Sequence, residues 1–307
     1  MISVLNIISP VFIVLGIGYW LKKTKVLGKD ANAALSFLVF YISGPCLLFL
    51  SAAHSNISEA FDLGVWIVAV VISVATAVAS YFIFAKRSHK KRGVLAQGSF
   101  RANMMFIGLP ITVNAFGEKV LGPAAIFIGL MVPLYNLLAV LCLSFPRQDH
   151  TGKDSILIAS IRDILTNPFI LGSVTGIVFS VSGLDLPLAI ERTLGTLAKL
   201  ALPLALLSLG AEFNIEDFRS DFKLAVCVSF IKLIIYPALI YLGLRFAGKT
   251  GMFLMFPVLI VATPVAVVSA VMAHEMKRDD KLAGSILIAT TIGSSLTIPL
   301  WLFFFKL

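Results

Sequence analysis

Apolar residues in this chain fall into long runs, separated by short clusters of Lys, Arg, Gly and Asp. A helix needs about 20 apolar residues to cross a bilayer. Runs of that size occupy residues 3–21, 33–53, 64–84, 97–116, 122–145, 167–184, 188–211, 222–244, 251–273 and 283–305, ten in all. The pattern predicts an all-α integral membrane protein with ten transmembrane helices. The first run starts at once, with no basic segment before it, and reads as a span, not a cleaved signal. The stretch 155–166, SILIASIRDILT, reads as an amphipathic helix lying in the interface ahead of the short sixth run.

Composition narrows the class. The chain has 307 residues, 59% hydrophobic and 13% charged, with mean hydropathy +0.98. A soluble domain carries about 25% charged residues, so a globular soluble enzyme is excluded. The net charge of +9 raises the question of nucleic acid. The placement of the charge answers it. Basic residues crowd alternate loops, as in Lys22, Lys23, Lys25 and Lys29 and the run KRSHKKR at 86–92. The intervening loops and the termini hold few, among them Lys119, Arg192, Arg245, Lys249 and Lys306. The positive-inside rule then puts the basic loops in the cytoplasm and both termini outside. A bilayer, and no nucleic acid, is the expected partner surface.

The chain also repeats itself. SPVFIVLGIGYWL (9–21) is similar to NPFILGSVTGIVF (167–179), pairing Pro10 with Pro168 at an offset of 158. YISGPCLLFLSAA (41–53) is similar to KLALPLALLSLGA (199–211), pairing Pro45 with Pro203 at the same offset. Pro110 in span 4 and Pro264 in span 9 pair at an offset of 154. Spans 1–5 and 6–10 therefore read as two copies. Five spans is an odd number, so the second copy enters the membrane inverted. Inverted repeats with Gly/Pro-interrupted helices at matching places point to a secondary transporter.

Span 4 contains NMMFIGLPITVNAFG (103–117), with Gly108 and Pro110 at its centre and Asn103 ahead of them. Span 9 contains LIVATPVAVVSAVMA (259–273), with Thr263, Pro264 and Ser269. Proline withholds an N–H and clashes with the preceding turn. Here it would free the carbonyls of Phe106 and Ile260. Freed groups at bilayer depth are tolerated only inside protein or against water. A half-helix starting at such a break aims N–H groups and a positive dipole end at the gap, which suits an anion. A single proline reads as a kink; the mirrored pair reads as a site.

Charge inside the spans has one sign. All sixteen carboxylates lie in loops or near span ends. Lys199 and Lys232 lie about midway along spans 7 and 8, and Arg101 lies near the inner end of span 4. Arg101 is expected to snorkel to the interface; Lys199 and Lys232 either snorkel or face a cavity. Cations without anions favour an anionic substrate and disfavour a proton relay through buried carboxylates. Asn136, in VPLYNLLAV of span 5, is either an interhelical hydrogen bond or a substrate contact. Cys46, Cys142 and Cys227 read as small buried hydrophobes. No metal or cofactor motif, no His-Glu-x-x-His and no nucleophile elbow is present, so no enzyme is expected.

FRANMMFIGLPITVNAFG (100–117), VPLYNLLAV (132–140), LALPLALLSLGAEF (200–213) and ATPVAVVSAVMAHE (262–275) resemble spans 4, 5, 7 and 9 of the auxin efflux carrier family. The likeness extends over essentially the whole chain. It is nearest the bacterial branch of malonate, malate and related organic-acid permeases. The resemblance implies a fold shared with sodium–bile acid symporters, in which helices 4 and 9 cross at their prolines, here Pro110 and Pro264. It implies a scaffold of spans 1, 2, 6 and 7 (1–55 and 160–213) that forms a homodimer. Spans 3–5 and 8–10 (62–145 and 220–307) would move as the transport unit. The expected substrate-binding residues are Asn103, Gly108, Pro110, Asn136, Thr263, Pro264, Ser269, Lys199 and Lys232, holding a small organic anion. The alternative is a sodium-coupled organic-anion symporter. The family often has Asn-Thr where this chain has Asn103-Met104, which removes a hydroxyl near the site.

Overall fold

The computed structural model describes residues 2–54, 61–144, 166, 168–212 and 221–307. These are almost entirely helical; among them there is no β-strand, only an isolated antiparallel bridge between Ala102 and Val265. The predicted interfacial helix lies, but for Thr166, outside the described residues.

Helix occurs in each of the ten predicted runs. In chain order the helices are α1 (Ile2–Lys23), α2 (Lys29–Leu38), α3 (Gly44–Ala53), α4 (Leu63–Ile83), α5 (His89–Phe100), α6 (Leu109–Phe116) and α7 (Leu121–Ser144). They continue with α8 (Pro168–Ser182), α9 (Leu188–Glu212), α10 (Phe222–Phe230), α11 (Tyr236–Phe246), α12 (Gly251–Val261), α13 (Val268–Glu275) and α14 (Asp280–Phe304). Among the described residues, six segments are long and apolar enough to cross a membrane: Lys29–Leu50, Leu63–Ile83, Glu118–Ser144, Leu188–Ala211, Phe222–Phe246 and Asp280–Phe304. Spans 4 and 9 are instead each built from two short helices, α5/α6 and α12/α13. Exposed side chains along the helices are largely apolar, including Val71, Val78, Val178, Leu296 and Phe303, as a lipid-facing surface requires.

Prolines shape three of the helices without breaking them. π-helical turns at Val39–Ser43, Met104–Gly108 and Ile231–Ile235 each end two residues before a proline: Pro45, Pro110 and Pro237. A widened turn makes room for the ring and absorbs the missing N–H.

Close helix packing depends on glycine. A β-carbon on Gly18 would lie 2.2 Å from the Leu207 carbonyl oxygen, so α1 touches the backbone of α9 there. One on Gly176 would lie 2.4 Å from the Phe49 carbonyl oxygen, where α8 touches α3. Gly176 follows Gly18 by 158 residues and Leu207 follows Phe49 by 158, so one contact is made twice. Ion pairs recur similarly: Lys91 with Asp221, and Lys249 with Asp62.

The largest buried cluster joins α4, α5, α7, α11 and α12 through residues such as Ala69, Phe100, Met131, Tyr236 and Ile260. Its hydroxyls are paired, as burial demands. Tyr236 Oη meets Ser73 Oγ at 2.7 Å and Tyr135 Oη at 2.5 Å. Cys142 is buried, but Cys46 is half-buried and Cys227 exposed, which corrects the expectation of three buried thiols; Cys227 lies on an apolar outer face beside Val226.

Candidate functional site

α5 ends at Phe100, and its C-cap, Arg101, is extended (φ −68°, ψ 110°). The chain stays non-helical to Asn103 before the next turn begins. α12 ends at Val261, and residues 262–267 are non-helical before α13. The two interruptions meet. The Asn103 N–H donates to the Pro264 carbonyl at 2.8 Å, and Ala102 bridges to Val265. A β-carbon on Gly108 would stand 3.4 Å from Ile260 Cα and its carbonyl oxygen, so the second half of span 4 packs against α12 at ordinary contact distance there.

The two interruptions thus touch through Asn103 and Pro264, and through Ala102 and Val265. Pro110 lies in the first turn of α6, seven residues after Asn103, where the π turn accommodates it. Pro264 lies within the break itself.

The freed backbone groups are mostly provided for. Asn103 Oδ1 accepts from the Phe106 N–H at 3.2 Å, capping the start of the second half-helix. Thr263 Oγ1 donates to the Ile260 carbonyl at 2.7 Å, and Thr290 Oγ1 accepts from the Val265 N–H at 3.1 Å. Lys232, wholly buried, donates through Nζ to the carbonyls of Val261 at 2.5 Å and Thr263 at 2.8 Å. Its charge sits at the C-terminal end of α12, where the helix dipole favours a cation.

Arg101 is 3% exposed, so the expected snorkelling is corrected. Its Nη1 donates to Met272 Sδ at 2.8 Å and its Nη2 to Asn136 Oδ1 at 2.5 Å. Asn136 thus makes an interhelical hydrogen bond. Gln97 Nε2 donates to the Ser269 carbonyl at 3.0 Å, while Gln97 Oε1 and Ser269 Oγ are buried without a hydrogen-bond partner. Lys199 is exposed on α9.

A cavity of about 910 Å³ lies beside the crossing. Lys22 at the end of α1, Lys25 in the connection and Lys29 at the start of α2 line it, together with Phe106, Val267 and Val268 of the two broken spans. Phe37, Phe40, Tyr41 and Leu209 form apolar wall, with Ser36 and Ser208 paired at 2.7 Å between their hydroxyls. None of the nine residues expected from sequence lines it, though Val268 immediately precedes Ser269 and Phe106 lies two residues before Gly108. Gln97 and Arg101 join the crossing without having been expected there. Their signal was a polar residue and a cation at one face of an otherwise apolar run.

A helix pair interrupted face to face in a lipid-facing bundle, beside a basic cavity, is the build of a carrier. Residues 3–302 match the family model described as membrane transport protein. The chain belongs to this family, the auxin efflux carriers that its motifs resemble. It is a transporter and not an enzyme. It is 28% identical to an "Uncharacterized transporter" of Methanothermobacter thermautotrophicus over 96% of both chains. It is 23% identical to the "Uncharacterized transporter YfdV" of Escherichia coli K12, covering 97% of this chain and 96% of the relative. It is 21% identical to the "Putative malonate transporter" of Rhizobium meliloti, covering 97% and 94%. The transporter and these relatives are thus alike over their full common length.

Proposed function

We propose that this transporter carries a small organic anion, of the malonate or malate kind, across the plasma membrane by alternating access. The observation that carries the reading is the crossing of two broken helices at Asn103 and Pro264 beside a cavity lined by Lys22, Lys25 and Lys29. An anion gains from the lysines on entry and from half-helix N-termini at the crossing. The malonate relative supports the substrate class.

The ten helical runs act as ten spans in a 5+5 inverted repeat, with both termini extracytoplasmic. The contact made twice, Gly18 on Leu207 and Gly176 on Phe49, supports this reading, as do the recurring ion pairs. Residues 1–55 and 160–213 serve as the scaffold of a homodimer, and residues 62–145 and 220–307 as the unit that moves. The cavity lies between α2 and α9 on one side and the two breaks on the other, where an elevator would slide. Lys232 supports independence from sodium: its ammonium supplies a positive charge at the break, bonded to the Val261 and Thr263 carbonyls.

The test is uptake of labelled malonate, malate and indole acetate by proteoliposomes holding the purified protein. Saturable uptake of an acid, unchanged when K⁺ replaces Na⁺, is the expected result. Single-channel conductance, or uptake that vanishes without Na⁺, would overturn it.

A further inference from the structure

The interior holds a second cation that no carboxylate answers. Arg101 sits at the break of span 4, where α5 ends, and its side chain reaches α7 and α13. A guanidinium is a permanent cation with five donors arranged to fit a carboxylate. Buried, it needs an anionic or well-placed acceptor set, because an unpaired buried charge is costly. Among the described residues the ion pairs are His54–Glu191, Lys91–Asp221 and Lys249–Asp62, and none involves Arg101. Its acceptors are a neutral amide oxygen and the thioether of Met272. A thioether is a weak acceptor on a flexible side chain, readily displaced.

The other candidate cations are committed or absent. Lys232 Nζ is held by the Val261 and Thr263 carbonyls. Lys199 is exposed on α9. Beside Arg101 the crossing leaves two further polar atoms unsatisfied, Gln97 Oε1 and Ser269 Oγ, both buried. Ser269 lies in the first turn of α13, whose dipole also favours negative charge there.

We propose that Arg101 binds the carboxylate of the transported acid, and that Met272 holds its place until the acid arrives. The acid's carboxylate oxygens replace Met272 Sδ on the guanidinium, and Asn136 keeps the guanidinium oriented. Ser269 Oγ donates to the same carboxylate. Gln97 Oε1, an acceptor, faces a hydroxyl or a protonated carboxyl elsewhere on the acid. This assignment rests on the anion-carrier reading above.

The experiment compares wild type, R101K and R101Q in proteoliposomes, using labelled malonate, malate and indole acetate. The same acids are used for thermal-shift measurements on the purified proteins. R101K retains the charge, so it keeps a foldable variant in hand if R101Q does not fold. Both variants are expected to raise the half-saturation concentration about tenfold or more, because one charge-assisted fork is lost. The acid-induced rise in Tm is expected to disappear in both, while the acid-free Tm of R101K stays near wild type. An unchanged half-saturation concentration and an unchanged acid-induced Tm rise in the variants, with transport intact in wild type, overturn the role of Arg101 and leave the carrier reading standing. No uptake of any acid by wild type overturns the carrier reading, and this assignment with it.

Discussion

Lys249 Nζ lies 2.6 Å from Asp62 Oδ2, tying the start of α12 to the start of α4. Asp62 also caps α4 by accepting from the Val65 N–H at 3.0 Å. Burial pushes its carboxyl up, but the hydrogen bonds from Lys249 and Val65 and the Lys249 charge outweigh this and hold it below its usual value. A carboxyl whose folded pKa is depressed stabilises the fold above its unfolded pKa and loses that contribution as pH falls through the folded one.

D62N keeps an N-cap oxygen and removes the charge, so it isolates the ion pair. It is expected to cost up to about 1 kcal/mol near neutral pH, since the pair is partly exposed and screened. The Tm gap between wild type and D62N should hold constant down to about pH 4, the unfolded carboxylate range, and narrow below it. A gap that widens on acidification would contradict the pairing.

Lys232 is expected to matter to folding as well as to transport. K232M leaves the Val261 and Thr263 carbonyls without their buried donor, at a cost of about 2 kcal/mol. Thermal denaturation in detergent should register a lower Tm. A Tm equal to that of wild type would mean that other groups satisfy the break.

The glycine contacts make a sharper structural prediction. In G18A and G176A the new methyl would press on backbone oxygen, and overpacking of this kind costs about 1–3 kcal/mol. Both should lower Tm and the monodisperse fraction on size-exclusion chromatography. G16A is the control, since nothing lies within 4 Å of a β-carbon there.

Filling the cavity should stop transport. Ser208 faces the cavity opposite Ser36. S208W is expected to abolish proteoliposome uptake, measured on the fraction that remains monodisperse. Full uptake by S208W would remove this cavity from the substrate path.

Asn103 carries a structural role that competes with a direct substrate role. N103A removes the cap on the Phe106 N–H, worth about 1 kcal/mol. N103D retains the cap but adds a negative charge at the crossing. If the crossing receives an anion, N103D is expected to lose uptake while keeping a wild-type Tm; equal uptake would assign Asn103 to capping alone.

Much of the architecture was legible before any coordinates. Long apolar runs can be satisfied only by helices in lipid, and helix occurs in each of them. The interruptions of spans 4 and 9 were also legible, because Gly, Pro and Asn are poor residues for an uninterrupted helix. Their position was less so. Pro110 looked like the break, but proline states only that an N–H is missing. Whether the chain breaks or widens depends on its neighbours, and here the π turn Met104–Gly108 absorbs it. Arg101 was misread for a similar reason. Its stem is long enough to snorkel, and only the packing of α7 and α13 shows that it turns inward to Asn136 and Met272.

By itself the sequence determined the class, the helical runs, the family and the sign of the interior charge, because these follow from composition and local hydrogen-bonding needs. Tertiary structure alone decided which lysine is buried and which is exposed. Lys199 and Lys232 look equivalent along the chain, each a lysine in an apolar run. Folding leaves Lys199 on an outer face and puts Lys232 on the carbonyls of a helix end that lies 29 residues further along. The buried cations are Arg101, held by an amide oxygen and a thioether, and Lys232, held by two backbone carbonyls. Partners this distant in sequence are chosen by helix packing, and no periodicity records them.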